Sequence, residues 1–378
     1  MNADRQEAQK SQSDKRRRRR LRRGAIALVI AGVVLCVLWA GGLLLREDVD
    51  ARLAAIDAER AIPDEQNAAI IYDSLMQDFG SLSVPQGIVN DATDTTTKDP
   101  WATKDNPQLA AWIKQQQGMI DGFLQLAGIT ECRFPVGGYP ENFRRRMDRL
   151  AAVRRWMFIL IRAANNDVAD GRIDSAVEKY VALIRLADHL YQQPVITDNL
   201  VGYAIEAFAS GRMRGLIVTG PCTEAHLRTI ESAILPYEDK WDIRSRRMIE
   251  VDRLYSKKER KDLLTWLQHF WSDHNTLYFE KAHEQYVRLL SYRRGMRILI
   301  ALRRHREETG QWAQSLDQIR GSLPAAALVD PLNGGVFVYR LTEDSFTLYS
   351  KGRNGLDEDG ERKPASQGGP DDQPLWPR

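Results

Sequence analysis

Residues 24–45, GAIALVIAGVVLCVLWAGGLLL, run on without one charged side chain. About 20 apolar residues are what a helix needs to cross roughly 30 Å of hydrocarbon. A helix also closes its own backbone hydrogen bonds, which lipid cannot do for it. Arg23 stands before the run and Arg46, Glu47 and Asp48 stand after it, while Lys15 to Arg20, Arg22 and Arg23 form a dense basic block. Basic residues beside a span stay on the cytoplasmic side. The sequence therefore predicts a single-pass protein of the inner (cytoplasmic) membrane, with its N-terminus in the cytoplasm and the body outside it. The run is longer than the apolar core of a cleaved secretory signal, about 7–15 residues, and no small-x-small cleavage site follows. An uncleaved signal-anchor is expected. Cys36 follows Val34 and Leu35, not the small residue of a lipoprotein signal, so it reads as one more small apolar side chain.

The anchor changes how the charge is read. The chain has a net charge of +3, but residues 1–23 alone carry +7 and the remainder −4. The body is mildly acidic, which argues against a nucleic-acid surface. The block from Lys15 to Arg23 suits anionic lipid headgroups, at about 1 kcal/mol per basic residue near the surface. The body, about 330 residues, is long enough for one large or two modest domains. Its thiols are Cys132 and Cys222. An oxidising compartment permits a bridge between them, and closing so long a loop stabilises by about 4–5 kcal/mol in the entropy model. Two separate buried thiols are the alternative, because sequence does not give their separation.

Along the body the apolar spacing is helical. Residues 49–60 favour a helix. Pro63, with Asp64 and Glu65 behind it, marks a helix start, and Ala68, Ile71, Tyr72, Leu75 and Met76 give that segment one apolar stripe as far as Gly80. Residues 90–106, NDATDTTTKDPWATKDN, read as a surface loop. Helices are expected over 107–126, 143–165, 174–191 and 197–216, then a stop at Gly220-Pro221 and a new helix capped by Thr223. The 174–191 segment, starting Asp174-Ser175-Ala176, is similar to the second helix of a tetratricopeptide repeat, but no period surrounds it. Residues 241–302 read as long, charged helix with a solvated face. Near residue 300 the pattern changes. DPLNGG at 330–335 is a turn, VFVYRL and FTLY alternate as strands around a turn at 342–345, and a Pro/Gly/Asp-rich tail reads as disordered.

The expected class is mainly α, in five parts. These are a basic cytoplasmic tail (1–23), a transmembrane helix (24–45), a helical extracytoplasmic domain (46–295), a small α+β module with a β-hairpin (296–362) and a disordered tail (363–378). The module carries a resemblance. Ala301, Leu302, His305, Gly310, Trp312, Ser315 and Leu316, then Asp330, Pro331, Gly334, Phe337 and Tyr339, then Ser350, Gly352, Asn354 and Gly355 follow the order of the C-terminal region of type II secretion major pseudopilins. This region resembles that family over about 60 residues. His305, Ala313 and Asn354 depart from its pattern, and Gly24 is followed by Ala25-Ile26-Ala27-Leu28-Val29 in place of a prepilin's Phe and Glu. The rest of the chain resembles uncharacterised bacterial membrane-anchored proteins. The pseudopilin resemblance implies calcium in the C-terminal loop. Independently, Asn354, Asp357, Asp359 and Glu361 place four oxygen side chains in eight residues, with Gly355 and Gly360 for tight turns. Calcium takes six to eight oxygens, though an EF-hand pattern is absent. An acidic exposed turn is the alternative.

Catalytic motifs are not found. His269 and Asp273 are helix-spaced, and His283-Glu284 starts a zinc-protease motif that Val287 ends. No nucleophile elbow, Walker loop or dinucleotide fingerprint occurs. The sequence thus points to a non-enzymatic interaction or scaffold protein of the cell envelope with an envelope protein as partner. The alternatives are a secretion- or pilus-associated component with a calcium-binding loop, and a metal-dependent hydrolase using His269, Asp273 and His283.

Overall fold

The computed structural model describes residues 48–80, 82, 84–85, 93–259, 274–363 and 369–377. The apolar run 24–45, the basic block, Cys36, His269 and Asp273 lie outside the described residues. Among those that are described, no helix is long and apolar enough to cross a membrane. The chain divides into two compact units, Met1–Arg52 and Leu53–Arg378.

The described residues are mainly helical with a small C-terminal sheet. Helix α1 (Val49–Glu59) is followed by a 3₁₀ turn (Asp64–Gln66) and α2 (Ala69–Phe79). Then come the short α3 (Thr95–Lys98), α4 (Pro107–Gln115) and α5 (Gln117–Ala127). Three long helices form the centre: α6 (Glu141–Ala169), α7 (Ile173–Tyr191) and α8 (Ile196–Thr219). The remaining helices are α9 (Glu224–Ala233), α10 (Trp241–Glu259) and α11 (His274–Thr309). α7 packs against both α6 and α8, and α8 also packs against α11. Gly202 lets α7 and α8 approach closely, since a Cβ there would meet Tyr191 at 2.7 Å and the Ala187 carbonyl at 3.2 Å.

Local chemistry sets the helix ends. Asn106 caps α4, its side chain accepting from Leu109 N–H, and Pro107 occupies the first turn, where its missing N–H costs nothing. The helix expected over 107–126 breaks at Gln116 into α4 and α5. Thr223 caps α9 as expected, in a capping box whose return partner is His226. The His226 Nε2–H donates to Asp174 at the start of α7, 2.8 Å away, so the cap also joins two helices.

The stretch 90–106, where it is described, is mostly exposed and irregular as expected, but it carries one short helix and is pinned to the body. Asp94 caps α3, Thr97 is fully buried and Trp101 nearly so. Side chains from the central helices hold it by its backbone: Asn165 donates to the Thr96 carbonyl at 2.9 Å, Arg212 to that of Thr97 at 2.7 Å and Asn166 to that of Trp101 at 3.1 Å. These partners lie 65 or more residues away, beyond the reach of a local reading of turn formers.

The interior of the body contains paired charge. Arg146 meets Asp198, Arg293 holds Glu206 through Nε and Nη2, and Lys179 meets Asp167 at 2.6 Å. Both partners of each pair are at least nine-tenths buried. Tyr191 donates a further bond to Glu206 at 2.6 Å. His189 is buried as well. Its Nε2–H donates to the Ile129 carbonyl at 2.8 Å and its Nδ1 accepts from Tyr72 at 3.2 Å, which fixes the tautomer because a carbonyl can only accept. Burial holds this imidazole neutral and pushes its pKa down to about 4. Cys132 and Cys222 are separate buried free thiols, each pushed up by burial.

The C-terminal sheet has the order β1-β2-β3, all antiparallel. β1 (Val338–Leu341) and β2 (Phe346–Ser350) form the expected hairpin, in register from Leu341 opposite Phe346 to Val338 opposite Tyr349. The third strand is a correction. The tail expected to be disordered supplies β3 (Gln373–Trp376), which pairs with β2 and buries Leu375 completely against the α11 backbone at Gly295. The alternation of Gln373 and Leu375, inward, with Pro374 and Trp376 is a short strand pattern that the surrounding Pro, Gly and Asp obscure. The boundary expected at 295/296 falls inside α11, a continuous helix of 36 residues, and the sheet packs on that helix.

Candidate functional site

The described part of the segment joining β2 to β3 gathers acidic groups. It needs left-handed backbone at Gly352, Gly355, Asp359 and Gly360, with φ of 62°, 70°, 58° and 80°. Gly352 is required twice over, because a Cβ there would lie 2.1 Å from Asp371 Oδ1. The turn at 330–335 anchors the start of this segment. Asp330, fully buried, accepts from Leu332 N–H at 3.0 Å and from Asn333 Nδ2 at 2.7 Å, and Asn333 Nδ2 also donates to the Gly352 carbonyl at 2.9 Å. Burial pushes the Asp330 carboxyl up against these donors and the Ser350 hydroxyl. Asp330, from the turn before β1, therefore meets Ser350 and Gly352, at the end of β2, at one place.

The four residues expected to hold calcium do not converge. Arg340 on β1 reaches across to both Asp357 and Asp359, and Tyr349 donates to Asp357 at 2.7 Å. The Tyr349 hydroxyl, with Arg340 behind it, holds the Asp357 carboxyl below the usual carboxylate range. Asn354 turns its oxygen to Leu356 N–H at 2.7 Å, and Glu361 is exposed. These side chains serve as ion pairs to β1 and as turn contacts.

A different set does converge. Glu358, Asp371 and Asp372 each bring a carboxylate oxygen within 4.8 Å of the others. Glu358 Oε2 accepts from Asp371 N–H at 2.6 Å, and Asp372 Oδ2 accepts from Glu358 N–H at 3.0 Å and Gly360 N–H at 2.8 Å. Asp371 Oδ2 accepts from Arg353 N–H at 2.9 Å. The second oxygens differ: Asp371 Oδ1 and Asp372 Oδ1 are both buried without a hydrogen-bond donor. Asp372 is fully buried. Burial, with Glu358's charge acting in the same direction, pushes its carboxyl up against the two backbone N–H groups. A buried carboxylate oxygen without a donor is costly unless a proton or a cation meets it. Three hard carboxylate ligands, two with oxygens in want of a partner, fit a calcium ion bound at about 2.3–2.6 Å per oxygen.

Sequence reading missed these three for identifiable reasons. Glu358 sits between the acidic residues that seemed to alternate, and Asp371 and Asp372 lie in the stretch assigned to a disordered tail. The adjacent Asp-Asp pair just before Gln373 was the available signal. His283 stands elsewhere, stacked on Trp241 with ring centroids 5.0 Å apart and its Nε2 3.7 Å from Asp239. It lines a cleft of about 650 Å³ with Glu284, which pairs with Arg353 at 2.8 Å. Among the described residues, Glu358, Asp371 and Asp372 are the one group placed to share a metal ion. No family model, curated protein or solved structure matches the chain.

Proposed function

We propose that this chain is a membrane-anchored, non-enzymatic interaction or scaffold protein of the cell envelope, and that calcium held by Glu358, Asp371 and Asp372 organises its C-terminal sheet for that role. The pair of buried, donor-free oxygens on Asp371 and Asp372 carries the calcium reading. A bound ion would supply positive charge to the two donor-free oxygens, and would tie the segment after β2 to the start of β3. The uncharged run 24–45 behind its basic block supports the anchor.

Thermal unfolding of the full-length chain in detergent, in 1 mM calcium and in chelator, tests the metal. For a site of about 10 µM affinity, mass action gives roughly 2.7 kcal/mol of stabilisation. Asp372→Asn should remove the shift, while Asp359→Asn should keep it. An equal midpoint with and without calcium would sink the reading. Resistance of the protein to alkaline carbonate extraction tests the anchor, and release into the supernatant would rule it out.

The meeting of Asp330, Ser350 and Gly352 around the same segment favours one second reading, a secretion- or pilus-associated component built on the pseudopilin resemblance. Intact mass separates the two, because processing next to Gly24 belongs only to the second.

A further inference from the structure

We propose a second ligand site, in the helical body, that takes a small oxyanion of the phosphate or phosphate-monoester class. It is a cleft of about 280 Å³ whose lining includes Arg60, Arg133, Arg244, Arg247, Tyr191 and Asn199, with no carboxylate in its wall. That volume is at the small end for ligand sites, which run from about 300 Å³ upward. Separate parts of the chain converge on it: Arg60 just after α1, Arg133 in the link between α5 and α6, Asn199 on the first turn of α8, and Arg244 and Arg247 one turn apart on α10.

Three of the four arginines in this cleft have a carboxylate beside them, and Arg244 does not. Arg133 pairs with Glu131, and Arg247 pairs with Glu59 at 2.7 Å and with Glu250 at 3.4 Å. Arg60 has Asp57 at 3.8 Å, but that carboxylate already accepts the N–H groups of Val136 and Gly137, both at 2.8 Å. Arg244 makes no ion pair among the described residues. Its guanidinium lies between two aromatic faces, 5.7 Å from the Tyr191 centroid and 5.8 Å from that of Tyr286. Burial, with the charge of Arg133 acting in the same direction, pushes Arg60 down to about 10.

The unsatisfied atoms define the ligand. The Nη1 group of Arg244 is buried and has no hydrogen-bond acceptor, whereas that of Arg247 faces Glu250 at 3.4 Å. A guanidinium fork with no carboxylate of its own suits an oxyanion that offers several acceptor oxygens. Asn199 adds a complementary demand. Its Nδ2 donates to the carbonyls of Gln193 at 2.9 Å and Val195 at 3.0 Å, which fixes the amide, and its Oδ1 is then left buried without a donor. A ligand with an acidic O–H as well as anionic oxygens meets both demands. Monobasic phosphate and phosphate monoesters have both, and sulfate does not.

The test uses the full-length chain in detergent, in calcium-free buffer, with inorganic phosphate as the probe. At 10 mM, phosphate should raise the unfolding midpoint by about 2–3 °C over chloride of equal ionic strength, and sulfate should raise it less. By calorimetry, Arg244→Gln combined with Arg247→Gln should weaken phosphate at least roughly tenfold. Arg320→Gln, on an exposed pair with Asp317, should leave affinity unchanged. If the double variant does not fold, Arg244→Lys serves instead. It keeps the charge but loses the fork, and should still weaken binding. A phosphate shift equal to that of chloride, or an affinity unchanged in the arginine variants, overturns the proposal. Nanodiscs separate the sources of the phosphate group: weaker phosphate binding in anionic than in zwitterionic lipid assigns the site to a headgroup, and equal binding assigns it to a soluble ligand.

Discussion

The helical body and the C-terminal segment both bury acidic groups, and they treat them in opposite ways. In the body, Glu206 receives three bonds, two from Arg293 and one from Tyr191. Asp198 has Arg146, and Asp167 has Lys179 and Arg172. In the C-terminal segment, Asp371 and Asp372 each keep one buried oxygen that nothing in the chain meets. Buried charge that the chain itself neutralises belongs to the architecture. Buried charge left half neutralised is a place for something from outside.

The largest effect expected from this contrast lies in the body. Arg293→Met leaves Glu206 buried without its cation and should cost about 3–5 kcal/mol. The double variant Arg293→Met with Glu206→Leu should recover much of that loss, because the pair's removal spares both desolvation penalties. Chemical denaturation followed by circular dichroism measures both. If the double variant is no more stable than the single, the pair contributes in its own right and the contrast weakens.

A comparable test applies to the C-terminal sheet. Leu375 is fully buried between β2 and α11, so Leu375→Ala should cost about 2–5 kcal/mol. Because α11 is one helix shared by body and sheet, that loss should appear in a single transition. A separate early transition would instead make the sheet an independent domain.

A smaller effect follows from pH. The buried His189 has its pKa depressed to about 4 from an ordinary 6.5. The unfolded chain therefore binds a proton that the folded chain refuses. Stability is highest above about 6.5 and falls as pH drops toward about 4, by roughly 3 kcal/mol in all. His189→Gln should flatten that part of the pH profile, as measured by thermal unfolding.

The smallest effect sharpens the comparison most. Asp372 is shifted upward, so without calcium its ionisation opposes folding. Stability should rise as pH falls through its folded value toward the ordinary carboxylate range. Asp170 is held down to about 2, chiefly by the Thr103 hydroxyl and backbone N–H, with Arg172 behind them. Its contribution is present above the ordinary carboxylate value and is lost as pH falls toward 2. Asp372→Asn and Asp170→Asn should then change acid stability with opposite sign in chelator. The same sign for both would erase the distinction between the two regions.

What was legible in the sequence was what neighbours in the chain decide. The apolar stripes placed α6, α7 and α8 to within a few residues, Thr223 marked the α9 cap, and the turn at 342–345 gave the β1–β2 register. What was not legible depended on distant partners. The segment around Thr97 reads as loop until Asn165, Asn166 and Arg212 supply its hydrogen bonds. The acidic residues after β2 read as ligands until Arg340, from another strand, occupies Asp357 and Asp359. Asp371 and Asp372 acquire meaning only when β3 brings them beside Glu358, and β3 exists because Gly295 leaves room on α11 for Leu375.

The hydrogen bond from His189 Nε2 to the Ile129 carbonyl has one more consequence. An imidazole proton shut away from water in a fixed tautomer exchanges slowly enough to give its own downfield proton resonance in nuclear magnetic resonance. That signal would report on the corner where α2, α5 and α7 meet, and its disappearance would time the opening of this corner without any label being attached.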